Sequence, residues 1–340
     1  MRHLLREFRC LSFCLALLAI ALLQISCGGK KPKVENVPVP PPTQRVPPTR
    51  VFAPYLATWQ AEHDIAQTSQ ASGIQYFSLA FVISNPNACV PKWAGKNSVA
   101  KESELPGEIA TLRSRGGDVI VSFGGANGKE LAQTCQDAAS LQAAYQSVID
   151  KYNVRRLDFD IEAAAIRDPA SIDRRNLALA ALESANPGLM ISYTLAASPD
   201  GLLPEGIDLL KNAAQHNVKV ATVNILAMDY GPEADPNGMG QNAITAATHA
   251  LQQLKSISFE SKLGITVMVG RNDASPEVFA QNDAQAVLNF AQANPDVHLL
   301  SIWSIARDRS CPGEEKIVSG ACSGITQQSY EFAHIFAKFE

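Results

Sequence analysis

The sequence predicts an α/β chain folded as a (β/α)8 TIM barrel, and three observations support this fold class. Eight apolar runs rich in β-branched and aromatic residues follow one another from Val51 onward, and segments with apolar residues at helical spacing lie between them. Strands that alternate with helices pair in parallel through right-handed crossovers. Eight such units in about 290 residues fit a closed barrel better than an open sheet.

The eight predicted strands are VFAPYLATW (51–59), IQYFSLAFVI (74–83), DVIVSFGG (118–125), VRRLDFDIE (154–162), LMISYTLAA (189–197), VATVNILAMDY (220–230), KLGITVMVG (262–270) and HLLSIWSIA (298–306). Helical spacing is clear in segments such as LQAAYQSVIDKY, DRRNLALAALESA and AITAATHALQQLKSI. TQQSYEFAHIFAKF (326–339) predicts a closing amphipathic helix. A doubly wound open sheet is the alternative fold, but no G-x-G-x-x-G follows the first strand. The adjacent glycines of SFGGANG (122–128) have the wrong spacing for a nucleotide loop and predict a tight turn at a strand end.

The first 27 residues predict an export signal. Arg2, Arg6 and Arg9 precede the apolar run LSFCLALLAIALLQIS, which is shorter than the roughly 20 residues of a comfortable transmembrane span. The run ends in ISCGG (25–29), which resembles a bacterial lipoprotein cleavage site with Cys27 as the acylated residue. We therefore expect an exported cell-envelope lipoprotein, and plain secretion is the alternative.

The residues that follow predict a linker. KKPKVENVPVPPPTQRVPPTR (30–50) is rich in proline, which favours extended polyproline II, and has too little apolar content to fold. The predicted organisation is thus a signal peptide over residues 1–27, a Pro-rich linker over 28–50 and one barrel domain over 51–340.

Four cysteines remain in the barrel domain, namely Cys89, Cys135, Cys311 and Cys322. An even number in an exported domain predicts two disulfides. Cys311 and Cys322 bracket a glycine-containing loop and are expected to pair, which leaves Cys89 with Cys135. Their spacings match no zinc pattern, and none of the six histidines falls in an H-E-x-x-H motif.

The formal net charge of −4 gives no basic patch for nucleic acid, so no nucleic-acid partner is expected. The chain is 46% hydrophobic, which is ample for a sizeable core. We expect a monomer that requires no cofactor.

The chemistry centres on LDFDIE (157–162), where three acids alternate with three apolar residues. A strand turns alternate side chains to opposite faces, so the apolar residues suit the helix side of a barrel and the acids point inward. Asp158, Asp160 and Glu162 are the inward acids, with Glu162 nearest the carboxyl end, where barrel active sites form. Clustered buried carboxylates raise one another's pKa, so at least one is expected to keep a proton near neutral pH and serve as a general acid.

Two alternatives to acid catalysis follow from the same residues. The first is a purely structural role, as an inward ion pair or a hydrogen-bonded cluster, although no inward Lys or Arg partner is evident in the other strands. A divalent metal would require further ligands at neighbouring strand ends, where only Asp229 qualifies well, so no metal site is predicted.

Aromatic residues at other strand ends indicate a carbohydrate site. Tyr230 closes the sixth predicted strand and Trp303 lies in the eighth, and both are expected to point inward. A Trp face beside an acid can stack on a sugar ring, and a Tyr hydroxyl supplies a directional hydrogen bond.

Together these motifs resemble glycoside hydrolase family 18, the chitinase family. SFGG (122–125) resembles its S-x-G-G, and LDFDIE resembles the end of its D-G-x-D-x-D-x-E. MDYG (228–231) stands where the family has M-x-Y-D, and Trp303 stands where it has its last-strand tryptophan. The resemblance covers residues 51–340 in order and, with the segment GRND (270–273), is greatest to bacterial secreted chitinases.

The resemblance implies hydrolysis of β-1,4-linked N-acetylglucosamine by a substrate-assisted, retaining mechanism. It implies that Glu162 protonates the glycosidic oxygen while the substrate's own acetamido carbonyl attacks the anomeric carbon. Asp160 is then expected to orient the acetamido N–H, and Tyr230 to hydrogen-bond the acetamido oxygen. Asp158 is expected to lie beneath Asp160, and Trp303 to form the floor under the distorted sugar.

Further substrate-binding candidates are Met228, Asp229, Ser122 and Phe81. The implied partners are chitin or its oligosaccharides, with a membrane contacted only through an N-terminal lipid. Within the same class, an endo-β-N-acetylglucosaminidase is the alternative, and a non-catalytic chito-oligosaccharide-binding barrel is the alternative from a different class.

The chain departs from the family pattern at three places. Arg155 and Arg156 occupy the positions of the first Asp and the Gly of the acid motif, which leaves the protonation around Asp158 open. Gly231 replaces the Asp after Tyr230. Asp229 is the candidate substitute, although strand alternation predicts that it turns away from that tyrosine. Ala163 follows the acid where close relatives have Gly.

Overall fold

In the computed structural model, the described residues are 48–60, 64–85, 88–232, 234–236, 238–313 and 317–339. The predicted signal peptide, Cys27 and residues 28–47 of the predicted linker lie outside these ranges.

The strands are β1 (Val51–Phe52), β2 (Tyr55–Ala57), β3 (Tyr76–Asn85), β4 (Ala88–Trp93), β5 (Asn97–Ser98), β6 (Asp118–Gly124), β7 (Arg156–Asp160), β8 (Met190–Ser198), β9 (Gly201–Leu202), β10 (Val220–Leu226), β11 (Lys262–Met268), β12 (Gly270–Arg271), β13 (Val278–Phe279) and β14 (Val297–Trp303).

Eight parallel strand positions form a closed barrel. The order of hydrogen-bonded neighbours is β1-β14-β11-β10-β8-β7-β6-β3, and β2 pairs with β3. Because β1 and β2 are consecutive pieces of the first strand, these two pairings close the ring. Each of the eight predicted strands occupies one position, so the predicted fold class is confirmed. The short strands β4, β5 and β9 are antiparallel additions to the barrel sheet, and β12 and β13 pair in a separate two-stranded sheet.

The helices are α1 (Ile65–Ser72), α2 (Leu105–Ser114), α3 (Leu131–Thr134), α4 (Ala138–Tyr152), α5 (Pro169–Ala185), α6 (Pro204–Gln215), α7 (Met239–Ser256), α8 (Gln281–Ala293) and α9 (Glu331–Phe336). Their apolar faces pack on the outer side of the barrel in one continuous core. Phe159 of β7 illustrates this packing, since its ring stacks on Phe123 at 5.1 Å and meets the edge of Tyr145 from α4. None of the described helices is long and apolar enough to span a bilayer.

The predicted closing helix is too long. The sequence predicts a helix over 326–339, but α9 begins at Glu331 and is followed by a 3-10 turn over Ala337–Phe339. Tyr330 adopts a left-handed φ of 62°, which interrupts any helix that would continue through it. Asp308 instead caps α9, where its carboxylate accepts the backbone N–H groups of Phe332 and Ala333.

Both predicted disulfides are present. Cys89 of β4 pairs with Cys135, which follows α3, and Cys311 pairs with Cys322. The first bridge fixes the β4–β5 hairpin to the helical layer, and the second closes a loop after β14.

A buried ion pair joins α5 to the segment before α3. Arg175 donates to the Glu130 carboxylate at 2.8 Å, and both side chains are almost fully buried. Glu130 also accepts the hydroxyl of Tyr145 and the backbone N–H of Ala132. Removing two charges from water costs free energy, and a buried ion pair offsets that cost only through close contacts of this kind.

The chain enters the barrel at the amino-terminal ends of the strands. Arg156, at the start of β7, donates to the carbonyl of Pro48 at 3.0 Å. Arg50 donates to the carbonyls of Gln292 and Asn294 and lies over the ring of Phe339. These contacts fix the first described residues beneath the barrel.

Candidate active site

The acids of β7 point into the barrel, as the alternation of LDFDIE predicts. Asp158 and Asp160 are each 3% exposed, and their neighbour Phe159 packs on the helix side. The strand ends at Asp160, two residues earlier than predicted, and Glu162 follows in the loop. The three carboxyls therefore form a column that rises from the barrel interior to its carboxyl-terminal opening.

Asp158 is held by four hydroxyl groups from neighbouring strands. Tyr55 and Ser122 donate to its Oδ2 at 2.9 and 2.6 Å, and Ser192 and Thr194 donate to its Oδ1 at 2.8 and 2.7 Å. Burial raises the pKa of Asp158, and these hydrogen bonds oppose the rise because they favour the ionised form. Donors on both oxygens thus stabilise the Asp158 carboxylate, which has no basic side chain among its hydrogen-bond partners in the described residues.

This arrangement accounts for the unusual arginines before the motif. Arg155 is exposed, and Arg156 contacts Pro48 at the opposite end of the barrel from Glu162. The hydroxyl groups of Tyr55, Ser122, Ser192 and Thr194, rather than either arginine, are the direct partners of Asp158.

Asp160 and Glu162 form a hydrogen-bonded carboxyl pair. Burial raises the pKa of Asp160 well above its usual range, and the charges of Glu162 and Asp158 raise it further. Burial also raises the pKa of Glu162, to about 6, and the hydrogen bond with Asp160 partly opposes this rise. The pair therefore keeps at least one proton near neutral pH. Oδ1 of Asp160 has no hydrogen-bond partner within the described part of the chain.

A cavity of about 520 Å³ lies at the carboxyl-terminal ends of the barrel strands. This volume is within the usual range of ligand sites. Six of the candidate residues line it, namely Phe81, Asp160, Glu162, Met228, Asp229 and Trp303. Ser122 and Asp158 do not line it, and they lie deeper in the barrel.

The turn after β6 requires its two glycines. Gly124 and Gly125 have positive φ values of 94° and 86°, in agreement with the predicted tight turn. A Cβ at Gly124 would lie 2.1 Å from the carbonyl oxygen of Asp160, and one at Gly125 would lie 2.7 Å from the ring of Phe81. The two glycines therefore let the SFGG backbone pass close to the carbonyl of Asp160 and to the ring of Phe81.

Asp229 and Tyr230 differ from the sequence prediction. β10 ends at Leu226 rather than at Tyr230, and Asp229 has a left-handed φ of 52°. This change of backbone direction breaks strand alternation, so Asp229 lines the cavity together with Met228. Its carboxylate accepts the backbone N–H of Ala274 at 2.9 Å.

Tyr230 is not among the described residues that line the cavity. Its backbone N–H donates to Glu277 at 3.2 Å, and burial raises the pKa of its phenol. The hydroxyl is buried without a hydrogen-bond partner in the described residues. Its predicted bond to a substrate acetamido group stays a prediction.

Aromatic rings cover one side of the cavity. Trp303 stacks on Phe81 with centroids 5.6 Å apart, and Tyr55 meets Trp303 edge-on at 5.8 Å. Trp59 adds a further ring that sequence analysis missed, although it ends the first predicted strand. Lys96 and Asp273 also line the cavity from loops, where no periodic pattern marks a residue as inward.

Groups of three or more His, Cys, Asp or Glu side chains arranged to hold a metal ion were not found in the described ranges.

Comparison with known proteins gives related enzymes. No protein-family profile matches the chain. It is 37% identical over 318 residues to a probable bifunctional chitinase/lysozyme of Escherichia coli, covering 86% of this chain and 35% of that protein. It is 36% identical over 281 residues to endochitinase 11 of Metarhizium anisopliae, covering 77% of this chain and 53% of that protein. The chain thus spans about half or less of the length of these relatives.

The chain also matches solved structures, whose length is closer to its own than that of the two relatives above. Active domain 2 of a thermostable chitinase from Pyrococcus furiosus, solved as catalytic-site mutants with chito-oligosaccharides, superimposes with a TM-score of 0.77. The two chains are 32% identical, and the match covers 86% of this chain and 95% of that domain. A GH18 chitinase from Pseudoalteromonas aurantia, at 16% identity and a TM-score of 0.56, shares the fold.

Proposed function

Because the chain belongs to the chitinases of glycoside hydrolase family 18, we propose that it hydrolyses β-1,4-linked N-acetylglucosamine chains, with Glu162 as the general acid. The observation that carries this proposal is the position of Glu162. Its carboxyl lines the cavity, is hydrogen-bonded to buried Asp160 and has a pKa raised to about 6. A general acid needs a pKa near its working pH so that it can both hold and donate a proton.

The first step is protonation of the glycosidic oxygen by Glu162, which breaks the bond to the leaving sugar. Substrate-assisted retaining enzymes form the new bond with the substrate's acetamido oxygen instead of a protein carboxylate. Asp160 suits this scheme because it is a hydrogen-bonded acid rather than a free nucleophile. Its unpartnered Oδ1 is available to accept the acetamido N–H.

After the leaving sugar departs, Glu162 is a carboxylate and can take a proton from water. That water attacks the anomeric carbon, the acetamido group is released, and the configuration is retained overall. Asp158, held by its four hydroxyl donors, keeps a fixed negative charge beneath Asp160 as the positive charge develops. The aromatic face of Trp303 supports the sugar ring.

The test is release of product from chitin oligosaccharides by the wild type and by Glu162→Gln. We expect the variant to lose about 100- to 10,000-fold in kcat while still binding the oligosaccharide. Binding without cleavage by the wild type would instead identify a non-catalytic barrel. Cleavage of the chitobiose core of an N-glycan in preference to chitin oligosaccharides would identify an endo-β-N-acetylglucosaminidase.

We also propose that the chain is exported and that Cys27 carries a lipid. Both disulfides support export, because such bridges persist in oxidising compartments. Expression of wild type and Cys27→Ser in a bacterium with labelled palmitate tests the lipid. Label in the wild type alone supports acylation, and label in neither supports plain secretion.

A further inference from the structure

Three consecutive backbone N–H groups after β10 all donate to side chains of the β12–β13 hairpin (residues 270–279). The N–H of Asp229 donates to Oδ1 of Asn272 at 3.3 Å. Those of Tyr230 and Gly231 donate to the two carboxylate oxygens of Glu277 at 3.2 and 2.7 Å. Asn272 and Glu277 are 1% and 2% exposed, and neither lines the cavity. The three donors form the β10 turn (residues 229–231), and the hairpin supplies its acceptors.

The β10 turn has a backbone conformation that depends on these acceptors. Asp229 has a φ of 52°, which residues other than glycine rarely adopt and which persists where the surroundings impose it. Burial raises the pKa of Glu277, and the two N–H groups that it accepts lower it again because they favour the carboxylate. Asn272 and Glu277 therefore stabilise a turn that its own residue preferences do not favour.

The hairpin is itself fixed at its base. The side-chain amide of Asn272 donates to the carbonyls of Met268 and Gly270 at 2.9 and 3.1 Å. The guanidinium of Arg307, which is 1% exposed, donates to the carbonyl of Arg271 at 2.5 Å. The hairpin is thus a rigid support for the β10 turn.

The β10 turn places a charge at the cavity. Asp229 lines the cavity together with Asp160 and Glu162, and its negative charge contributes, after burial, to the raised pKa of Glu162. Two further charges act on Asp229 itself, since Asp273 raises its pKa and Arg307 lowers it. The position of Asp229 therefore affects the proton on Glu162.

We propose that Asn272 and Glu277 are positioning residues, which hold the β10 turn and thereby keep the Asp229 carboxylate in the cavity wall that it shares with Glu162. Both act through Asp229 and touch neither the substrate nor the reacting atoms. This inference rests on the proposed function, because its effect is measured on Glu162 as the general acid.

The experiment measures kcat/KM for chitin oligosaccharides as a function of pH with wild type, Glu277→Ala, Glu277→Gln and Asn272→Ala. Glu277→Ala frees two N–H groups and should shift the alkaline limb to lower pH by about 0.3–1 unit, which is about a 2- to 10-fold loss on that limb. Activity on the acid side should change by less than about 2-fold. Glu277→Gln keeps one acceptor without the charge and should recover part of the shift, and Asn272→Ala should shift the limb in the same direction.

A double variant tests whether Glu277 acts through Asp229. Asp229→Asn with Glu277→Ala should shift the limb no further than Asp229→Asn alone, because both changes remove the same charge from the cavity. Additive shifts would overturn the proposal. An alkaline limb that stays in place in both Glu277→Ala and Asn272→Ala, or a loss that is equal at every pH, would also overturn it.

Asp308→Ala is the matched control. Asp308 is likewise a buried carboxylate that accepts two backbone N–H groups, but it caps α9. Its removal should lower the Tm and leave the alkaline limb in place. A limb that moves as far in Asp308→Ala as in Glu277→Ala would show a general effect of lost stability and reject the positioning role.

A second measurement separates this inference from the proposed function. If the wild type cleaves none of these substrates, the proposed function fails. NMR titration of protein with glutamate isotope-labelled at the carboxyl carbon still gives the pKa of Glu162, whose signal Glu162→Gln identifies. A lower pKa of Glu162 in Glu277→Ala than in wild type supports the positioning role, and an equal pKa rejects it.

Discussion

The carboxyls of Asp160 and Glu162 are hydrogen-bonded to each other, so the protonation of each depends on the other. Two negative charges in a buried site repel each other, and one proton shared between them removes that repulsion. The pair can thus keep an acid ready at a pH where an isolated glutamate is ionised.

The alkaline limit of activity should depend on Asp229. Its negative charge, after burial, contributes to the raised pKa of Glu162. Asp229→Asn removes that charge, lowers the pKa of Glu162 and should shift the alkaline limb of the kcat/KM–pH profile to lower pH. The control Asp208→Asn, an exposed acid on α6, should leave the limb in place. An alkaline limb that stays where it is in Asp229→Asn would refute this electrostatic effect.

The stability of Glu162→Gln relative to wild type should be greater at high pH than at low pH. Folded Glu162 has a pKa of about 6 against an ordinary value of 4.5, so the folded chain binds this proton more tightly than the unfolded one. Wild type therefore loses up to about 2 kcal/mol as the pH rises from about 4.5 through 6, and the variant does not. Urea unfolding at pH 4 and pH 8 measures the difference, with the exposed Glu104→Gln as control. A difference that is equal at both pH values would contradict the shift.

Loss of Arg175 should destabilise the fold. Arg175→Ala leaves Glu130 buried without its cation, which is expected to cost about 3–5 kcal/mol in the free energy of unfolding. Lys262→Ala breaks a partly exposed pair with Asp296 and should cost about 0–1 kcal/mol. Denaturant titration compares the two variants. Similar small losses in both would show that the buried pair adds little.

The two disulfides should contribute unequally. The bridge between Cys89 and Cys135 spans 46 positions, and chain entropy predicts a contribution of about 4 kcal/mol. The bridge between Cys311 and Cys322 spans 11 positions and should contribute about 3 kcal/mol. Thermal unfolding of each double Cys→Ser variant measures which bridge contributes more to stability.

The first bridge should also affect substrate binding. It holds the β4–β5 hairpin, which places Ala94 and Lys96 in the cavity wall. The Cys89→Ser/Cys135→Ser variant should therefore raise KM with little change in kcat. A fall in kcat at unchanged KM would show that the bridge acts on the acid pair instead.

The barrel and its acid column could be predicted because both depend on periodicity. Alternation along LDFDIE orients Asp158 and Asp160 correctly, and eight apolar runs locate eight strands. This reasoning fails where the backbone leaves regular geometry. Asp229, with its left-handed φ, ends the alternation that would carry Tyr230 inward. Tyr330, which also has a positive φ, shortens the last helix.

The remaining site residues were missed because tertiary contacts, rather than local sequence patterns, place them at the cavity. Lys96 and Asp273 reach the cavity from loops, and Trp59 is positioned by hydrogen bonds to strands and loops distant in sequence. The four donors of Asp158 are single hydroxyl residues on three strands, which no local pattern connects.

Arg156 and Arg50 fasten the entering chain to the pole of the barrel opposite the cavity. A pull transmitted along this segment would load the ends of the strands that lie away from Glu162, including the start of β7. A long polysaccharide could then cross the open pole without meeting residues 48–50. Arg156, which stands where the resembled motif has a glycine, thus holds the entering chain at the end of the barrel away from Glu162.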